Sequence, residues 1–442
     1  MTQVSIIMKQ TVVLIITLFL LSSCVPLDQG KSSVSNQSYP PLVLADHNYS
    51  KSIKSVQLYR NDEGFRDQTS PSVTHLRQNN LLLEFDDLKV DADIYRVKII
   101  NCTASWKKSS LSNLEFLYDF NEFNINKFEF SVDTEVPYVH YQFQIPKIKL
   151  AGNYVVVVYR GDNVQDLVLS KRFMVYENKV SITPANLISG FTNISRLNQQ
   201  IEFNIEYKDY KLVNPLQSVT VHIRQNKRWD NMISGIKPNF IREDVKQIEY
   251  RFFNNGKNFL SGNEFRFFDL RSLRYPGQNI QKVEDEMGKQ RVYIMPDKPR
   301  AHLAYAQYND NNGCYYIDSR DGGDPKFSAE YNNVKFSLIS NKIEQKGDIY
   351  VFGALTDWQL NEYNKMSFNQ ENGRYEADIM LKQGFYDYTY YFKSDSTDYN
   401  YVEGNYFDTE NEYEIFVYYR PFNSRTDLLI GYLRLQKNER SN

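Results

Sequence analysis

Val139-His-Tyr-Gln-Phe-Gln-Ile145 and Gly152-Asn-Tyr-Val-Val-Val-Val-Tyr159 are the two stretches that decide the fold class of this chain. The first alternates apolar and polar side chains, as a β-strand with one buried face does. The second begins with a Gly-Asn turn signal and is apolar on both faces, which is typical of a central strand. Together they predict a sheet that packs against a second layer.

Other strand-like segments flank this pair, namely Ile53–Tyr59, Leu81–Phe85, Tyr95–Ile100 and Lys171–Tyr176. Six or seven short strands with turn signals between them are typical of an antiparallel β-sandwich. We assign residues 46–180 to an N-terminal domain of this kind.

A long excursion, residues 102–126, interrupts the strand pattern and is rich in aromatic side chains. Loops of this length within a sandwich often contact another molecule, but the segment could equally cap the end of the sandwich. The sequence leaves both interpretations open. The residues of this excursion that we select as candidate partner contacts are Trp106, Phe116, Tyr118 and Phe120.

The remaining sequence predicts two further β domains. Strict alternation at Ile201–Tyr207 supports a middle domain over residues 181–305, and alternation at Val334–Leu338 supports a C-terminal sandwich over residues 306–442. The chain is therefore expected to be all-β, with tandem antiparallel β-sandwich domains of the Ig-like type. Within the middle domain, Arg266 could contact a partner or pair with carboxylates or carbonyls of its own domain, and we favour the internal pairing.

The N-terminal stretch Met8–Cys24 has the order of a bacterial secretory signal that ends in a lipobox. Its apolar run is too short to span a bilayer comfortably. We predict a lipoprotein signal peptide at 1–23, lipidation of Cys24 and a flexible tether at 24–45. No acidic cluster of the kind that marks surface export follows Cys24. We therefore expect the acylated Cys24 to hold the protein in outer-membrane lipid on the periplasmic face.

Composition and motif content exclude several function classes. A net charge of −2 gives no electrostatic reason to expect nucleic acid. The five histidines are scattered, and no HExxH, GxSxG, Walker or GxGxxG pattern occurs. Asp318, Asp321 and Asp324 lack the spacing of a calcium loop, so we interpret them as a turn. We predict no catalytic, cofactor-binding or metal-binding residues and no small-molecule substrate.

Some isolated polar residues receive a purely structural interpretation. His140 lies opposite the apolar positions of its strand and is expected to face solvent. Asp86 and Asp87 are expected to be solvated strand ends. Cys102 and Cys314 are far apart in the sequence, which predicts two buried free thiols rather than a disulfide.

Motifs spread over nearly the whole chain resemble one known family. They are Ser55-Val-Gln-Leu-Tyr-Arg60, Leu83-Glu-Phe-Asp-Asp-Leu88, Asn101-Cys102 leading to Trp106, Gly152-Asn-Tyr-Val155 with Arg172-Phe-Met-Val175, Gly262-Asn-Glu-Phe-Arg-Phe-Phe-Asp-Leu270 with Ser272-Leu-Arg274, and Tyr418-Tyr-Arg-Pro421 with Leu428-Leu-Ile-Gly431. In type and order they are similar to the type IX secretion system plug protein family of the Bacteroidetes. The resemblance implies a non-enzymatic translocon subunit that associates with the giant SprA/Sov-type outer-membrane barrel and closes its periplasmic opening.

A second resemblance supplies an alternative function. The aromatic pattern from Val351-Phe-Gly353 through Trp358 to Gly384-Phe-Tyr386 is similar to starch-binding Ig-like modules. It implies a lipid-anchored carbohydrate-binding protein with Trp358 as a stacking platform, and Trp358 is therefore a further candidate partner contact. Such modules usually present at least two exposed rings, and Trp358 is the only tryptophan of the region. We interpret the likeness as shared architecture rather than a shared ligand.

Overall fold

The computed structural model describes residues 39–62, 64, 67–189, 197–252, 257–285, 290–343, 345–395 and 398–436. The predicted signal peptide, Cys24 and most of the predicted tether lie outside these residues. Within the described chain, three β-sandwiches succeed one another, and the third is inserted into the second.

The first sandwich is formed by β1 (His47–Asn48), β2 (Ile53–Arg60), β3 (Val73–His75), β4 (Leu81–Asp87), β5 (Tyr95–Cys102), β6 (Phe123–Asn124), β7 (Lys127–Phe130), β8 (Val139–Gln144), β9 (Gly152–Arg160) and β10 (Leu167–Tyr176). One sheet has the order β1-β10-β9-β5-β6, with β3 parallel to β10, and the other has the order β2-β4-β8-β7. Tyr154, Val156 and Val158 of β9 share one core with Leu83 and Phe85 of β4.

Strand β9 is apolar on its second face as well, as its sequence predicts. Val155 and Val157 point away from the main core and pack in a smaller cluster with Leu44 and Tyr49, which precede β2. The segment before β2 therefore covers the outer face of the first sheet, and this explains why a strand of four consecutive valines is buried throughout.

The second sandwich begins with β11 (Ser181–Ser189), β12 (Asn198–Glu206), β13 (Val219–Gln225), β14 (Ile233–Ile236), β15 (Phe240–Arg242), β16 (Gln247–Tyr250) and β17 (Phe259–Leu260). One sheet has the order β11-β12-β16-β15, with β17 also paired to β12. Ile201, Phe203 and Ile205 of β12 are fully buried, in agreement with the alternation seen in the sequence.

The third sandwich follows directly and consists of β18 (Arg266–Asp269), β19 (Ile280–Asp285), β20 (Gln290–Ile294), β21 (Tyr315–Ile317), β22 (Tyr331–Ile339), β23 (Asp348–Phe352), β24 (Ser367–Asn369), β25 (Arg374–Lys382) and β26 (Gly384–Lys393). Its sheets have the orders β18-β26-β21, with β23 on β26, and β19-β20-β22-β25-β24. Phe268, Phe336 and Tyr388 pack edge to face in its core.

The last strands, β27 (Glu412–Tyr419) and β28 (Leu428–Gln436), return to the second sandwich. Strand β27 pairs along its whole length with β13, so the second sheet has the order β14-β13-β27-β28. Ile415 and Val417 of β27 lie in the same core as Ile205 and Val221.

This pairing differs from the domain division suggested by the sequence. The middle domain was predicted to end at residue 305, but β18–β20 belong to the third sandwich, and β27–β28 complete the second. Alternation along a strand specifies which side chains are buried, but it does not specify the sheet in which the strand pairs. An inserted domain therefore cannot be recognised from the pattern alone.

The α-helices of the described residues are short: α1 (Asn113–Phe116), α2 (Pro215–Ser218) and α3 (Pro325–Ser328). In the described part of the chain, no helix has the length and apolar character needed to cross a membrane. The prediction of an all-β protein made of antiparallel sandwiches is confirmed.

Candidate partner-contact site

Trp106 lies where the first and second sandwiches meet. Its ring packs edge-on against Trp229 of the second sandwich, with centroids 5.0 Å apart. The guanidinium of Arg172, on β10, lies 4.1 Å from the Trp229 centroid, and that of Arg224, on β13, lies 4.2 Å from it. Two cations therefore stack on one indole, and Trp106 contributes to the junction between the sandwiches.

The aromatic excursion divides into buried and exposed parts. A capping box formed by Ser112 and Glu115 begins α1. This turn directs Phe116 into the core of the first sandwich, where only 2% of the residue is exposed. Tyr118 and Phe120 follow the helix and are 58% and 80% exposed. Of the candidate contacts in the excursion, only these two are well exposed.

Trp358 packs inside the chain. Its ring lies edge-on to Phe265 and Phe352, at centroid distances of 5.9 and 5.3 Å, and the guanidinium of Arg228 lies 5.5 Å from its centroid. Gly313 has a positive φ of 76°, and a Cβ there would lie 2.3 Å from Trp358. Trp358 therefore binds the second sandwich to the third through Arg228, and this geometry gives no support to a stacking platform for sugars.

The face of β4 and β8 that points away from the first core is covered by the third sandwich. Lys382 Nζ, at the end of β25, donates a hydrogen bond to Asp86 Oδ2 at 2.7 Å, and both side chains are 1% exposed. Tyr331 Oη also donates to Asp86 Oδ2, and His140 Nδ1 lies 2.7 Å from Asp86 Oδ1. The predictions that His140 faces solvent and that Asp86 and Asp87 are solvated are wrong, because all three are buried.

Electrostatic contacts favour the charged forms of Asp86 and His140 in this buried cluster, whereas burial lowers the pKa of Lys382. Burial alone would raise the pKa of Asp86, but Lys382 and His140 hold it below its usual value. Burial alone would lower the pKa of His140, but the hydrogen bond to Asp86 and the nearby carboxylate of Glu84, 3.6 Å from Nε2, raise it. Glu84 also accepts a hydrogen bond from Lys326 Nζ of the third sandwich at 2.7 Å. Charge pairs are therefore satisfied across the interface between two domains.

A second set of polar contacts lies where all three sandwiches approach one another. Asp357 of the third sandwich accepts hydrogen bonds from Lys171 Nζ at 2.5 Å and Asn48 Nδ2 at 3.2 Å, both of the first sandwich. Lys227 of the second sandwich donates to Cys314 Sγ of the third at 3.3 Å. The third sandwich is thus joined to both others by buried or half-buried polar groups.

The two ends of the inserted sandwich are joined by one amide. Asn411 Nδ2 donates to Ser261 O at 2.7 Å and to Gln199 Oε1 at 2.9 Å. Asn226 Nδ2 donates to Asn411 Oδ1 at 2.7 Å. Because the chain leaves and re-enters the second sandwich at this point, these hydrogen bonds fix the attachment of the third.

The internal role predicted for Arg266 is confirmed. Its guanidinium binds Glu403 Oε1 at 2.9 Å, Asp297 Oδ1 at 2.7 Å and the carbonyl of Lys298 at 2.7 Å. Arg300 binds the other oxygen of Glu403 at 2.8 Å. Burial opposes the charge on Glu403, but the two guanidinium groups lower its pKa to about 2.

Another group of carboxyls has raised pKa values, in contrast to Glu403, and was not recognised in the sequence. Asp387 and Glu264 are buried, Asp310 is half-buried beside them, and desolvation raises the pKa of each. The pKa of Asp387 rises to about 7, although the amides of Asn311 and Gly313 donate to it. Residues far apart in the sequence form this group, so no local motif could have indicated it.

The aspartates that were considered for a calcium loop have structural roles. Asp321 accepts hydrogen bonds from Ser272 Oγ, the Leu273 amide and Gln383 Nε2, and Asp324 caps α3. Within the described ranges, no three His, Cys, Asp or Glu residues are grouped so as to hold a metal ion. Cys102 and Cys314 are buried free thiols, as predicted.

Comparisons with known proteins agree with this architecture. Residues 53–177, which include β2 to β10, match the family described as the type 9 secretion system plug protein 1st domain. The chain is also similar to a hypothetical protein from Parabacteroides merdae ATCC 43184, known from a crystal structure. Sequence identity is 30%, the TM-score is 0.83, and the match covers 90% of this chain and 100% of the other. No curated protein matches the sequence.

Proposed function

This chain belongs to the type IX secretion system plug protein family, and we propose that it closes the periplasmic opening of the outer-membrane translocon barrel of that system. A barrel lumen that passes folded proteins leaks unless a cover lies across it. Such a cover must keep its shape under contact with the barrel. The chain would act by binding, without a chemical step.

The observation that carries this proposal is the set of buried contacts between the sandwiches. Asp86 and Lys382 join the first to the third, Trp106 and Trp229 join the first to the second, and Arg228 with Trp358 joins the second to the third. Domains joined by small polar interfaces usually move relative to one another. Here, displacing any one sandwich would leave buried charges or aromatic rings uncovered, which favours a single rigid body.

We also propose that Cys24 carries the lipid that holds the protein on the periplasmic face of the outer membrane. The predicted tether from Cys24 to residue 45 would keep the sandwiches close to the barrel even after release. Tethering in this way raises the local concentration of a binding partner without a new contact.

The experiment that tests the function is a mild-detergent capture of the tagged full-length protein from outer membranes, with mass spectrometry of the proteins recovered. We expect a very large outer-membrane barrel in near-stoichiometric amount. Recovery of the chain alone, or with glycan-uptake proteins only, would contradict the proposal.

Protease treatment of intact cells tests the location separately. A protein on the periplasmic face should resist added protease until the outer membrane is permeabilised. Digestion in intact cells would place the chain on the cell surface and would contradict the periplasmic assignment.

A further inference from the structure

One turn of the second sandwich lies beside α1 of the aromatic excursion, and a further loop of that sandwich lies beside the turn. The turn between β27 and β28 is bound to the first sandwich, because Arg425 donates to Ser110 O at 3.3 Å and pairs with Glu115. The same turn contacts the α2 loop, since the Arg420 amide donates to Ser218 O at 2.9 Å. Residues 420–427 therefore contact both 110–120 and 213–218, and we call these three segments the three-loop surface.

The three-loop surface exposes several large apolar side chains. Phe422, at the tip of the β27–β28 turn, is 91% exposed, and Phe120 is 80% exposed. Leu114, Val213 and Leu216 are more than half exposed on the same loops. Clustered apolar side chains at the tips of ordered loops mark interaction sites more often than isolated ones do.

We propose that the three-loop surface is a docking surface for a protein partner, and that this partner is the periplasmic rim of the translocon barrel. The choice of the barrel rests on the function proposed above. The surface is composite, since the first sandwich supplies Tyr118 and Phe120 and the second supplies Phe422. Its geometry therefore depends on the junction formed by Trp106, Trp229 and their arginines.

The charges of the three-loop surface favour a protein over a lipid bilayer. Arg425 is paired with Glu115, and Arg420 with Asp427, so these arginines carry no surplus positive charge. An acidic residue, Asp119, lies next to Phe120. Binding to anionic lipid relies on clusters of several unpaired Lys and Arg, whereas the two lysines beside this surface, Lys147 and Lys149, lie over the Tyr118 ring. A mixed-charge surface rich in aromatic residues and arginine is instead typical of protein interfaces.

One part of this surface indicates the chemistry of the partner. Lys149 Nζ lies 4.9 Å from the centroid of the Tyr118 ring, and Lys147 Nζ lies 6.0 Å from it. Two ammonium groups over one exposed ring attract a carboxylate while the ring offers apolar contact. We therefore expect the partner to present apolar side chains with Asp or Glu beside them.

The test is capture of the barrel from outer membranes by the full-length protein carrying Phe120→Ser and Phe422→Ser together. We expect at least a roughly tenfold loss of captured barrel relative to the wild type, because exposed aromatic anchors dominate such interfaces. The matched control is Tyr275→Ser, which removes an aromatic side chain that is 80% exposed on the third sandwich. All three proteins should unfold at the same temperature, because the substituted side chains are exposed.

Three other results are possible, and each contradicts a specific part of the inference. If the double variant captures as much barrel as the wild type, the three-loop surface is not the docking site, although the proposed function stands. If the wild type captures no barrel, the proposed function fails and so does the choice of partner. If unacylated protein carrying Cys24→Ser binds phosphatidylethanolamine–phosphatidylglycerol vesicles and the same protein with Phe120→Ser and Phe422→Ser does not, the occupant is lipid and the inference is wrong.

Thiol labelling gives an independent measure of contact. Cys102 and Cys314 are buried, so a Phe422→Cys substitution introduces an exposed thiol that maleimide can reach in the folded protein. We expect this introduced thiol to be labelled about tenfold more slowly in barrel-bound protein in outer membranes than in protein free in detergent, because a fully buried interface anchor is shielded from solvent. Equal labelling rates in the two states would overturn the inference.

Discussion

Lys382 of the third sandwich donates a hydrogen bond to Asp86 of the first at 2.7 Å, and each side chain is only 1% exposed. A buried ion pair between domains is costly to break, because separating the domains partway strands two charges in a poorly solvated gap. The pair therefore resists partial opening more strongly than an apolar contact of the same area. This resistance helps to keep the first and third sandwiches together.

Replacing Lys382 with methionine tests this pair. Asp86 would remain buried with only His140 and Tyr331 as partners, so we expect the free energy of unfolding to fall by about 3–5 kcal/mol. Urea denaturation measures the change. The control Lys51→Met removes an exposed lysine and should change stability by less than about 0.5 kcal/mol. Adding Asp86→Asn to the Lys382 variant should recover part of the loss, and failure to recover any would contradict the ion-pair argument.

Trp229 offers a test of the junction between the first and second sandwiches. Trp229→Ala would remove the indole that lies between Arg172 and Arg224 and against Trp106, and we expect a loss of about 2–4 kcal/mol. Hydrogen exchange should speed up at the amide of Ala104, which donates to Asp427 across the junction at 2.8 Å. Trp229→Phe keeps an aromatic ring and should lose less. Unchanged exchange in the alanine variant would show that the junction does not depend on this stack.

Asp387 gives a pH-dependent prediction. Its usual pKa of 3.8 applies to the unfolded chain, whereas burial raises the folded value to about 7. Between these pH values the folded chain keeps a proton that the unfolded chain releases. The free energy of unfolding therefore falls as the pH rises from about 4 to 7, and it stays at the lower value above pH 7. Asp387→Asn should abolish that part of the slope and gain on the order of 1–2 kcal/mol at pH 8.

Denaturant unfolding at about pH 5 and about pH 8, on either side of the folded pKa, measures this effect. The exposed substitution Glu371→Gln is the control and should leave the difference between the two pH values unchanged. A variant that is less stable than the wild type at the higher pH would show that the hydrogen bonds from Asn311 and Gly313 require the carboxylate.

Substitution of Trp358 distinguishes the plug hypothesis from the carbohydrate-binding hypothesis. Because its ring packs on Phe265, Phe352 and Arg228, we expect Trp358→Ala to lower the free energy of unfolding by about 2–4 kcal/mol. Affinity electrophoresis in soluble starch should show no retardation of the wild type. Retardation that disappears in the variant, without loss of stability, would restore the glycan hypothesis.

The free thiols should be unreactive in the folded protein. Burial raises the pKa of Cys102 to about 12 and also raises that of Cys314. Because the thiolate is the reactive form, we expect Ellman's reagent to modify neither residue at about pH 8 until the chain is unfolded. Rapid modification of one thiol in native protein would reveal local opening at that site.

Sequence periodicity was most informative where the burial of a side chain depends on its own sandwich. The alternation of β8 predicted that Val139, Tyr141 and Phe143 lie in the first core, and the apolar run of β9 predicted a strand buried on both faces, as observed. Arg266 was also assigned correctly, because an arginine among apolar strand positions needs acceptors close by.

The same reasoning failed where a face is covered by a different domain. His140 does point away from the first core, as its position in the alternation predicts, but the third sandwich covers that face and supplies Lys382 and Tyr331. Trp106 was selected as a possible contact because aromatic residues in long loops often bind partners, and Trp358 because of the likeness to starch-binding modules. Both pack against neighbouring sandwiches, and the sequence contains no local signal of those neighbours.

The sequence by itself determined the all-β class, the positions of most strands and the side chains that face each strand's own core, because these follow from a two-residue period read locally. Tertiary structure alone decided that β27 and β28 close the second sandwich, that Asp86 meets Lys382, and that loops of two domains form one exposed surface. These features join residues far apart in the chain. Their energy comes from burial between sheets, which depends on the arrangement of the whole chain rather than on any local pattern.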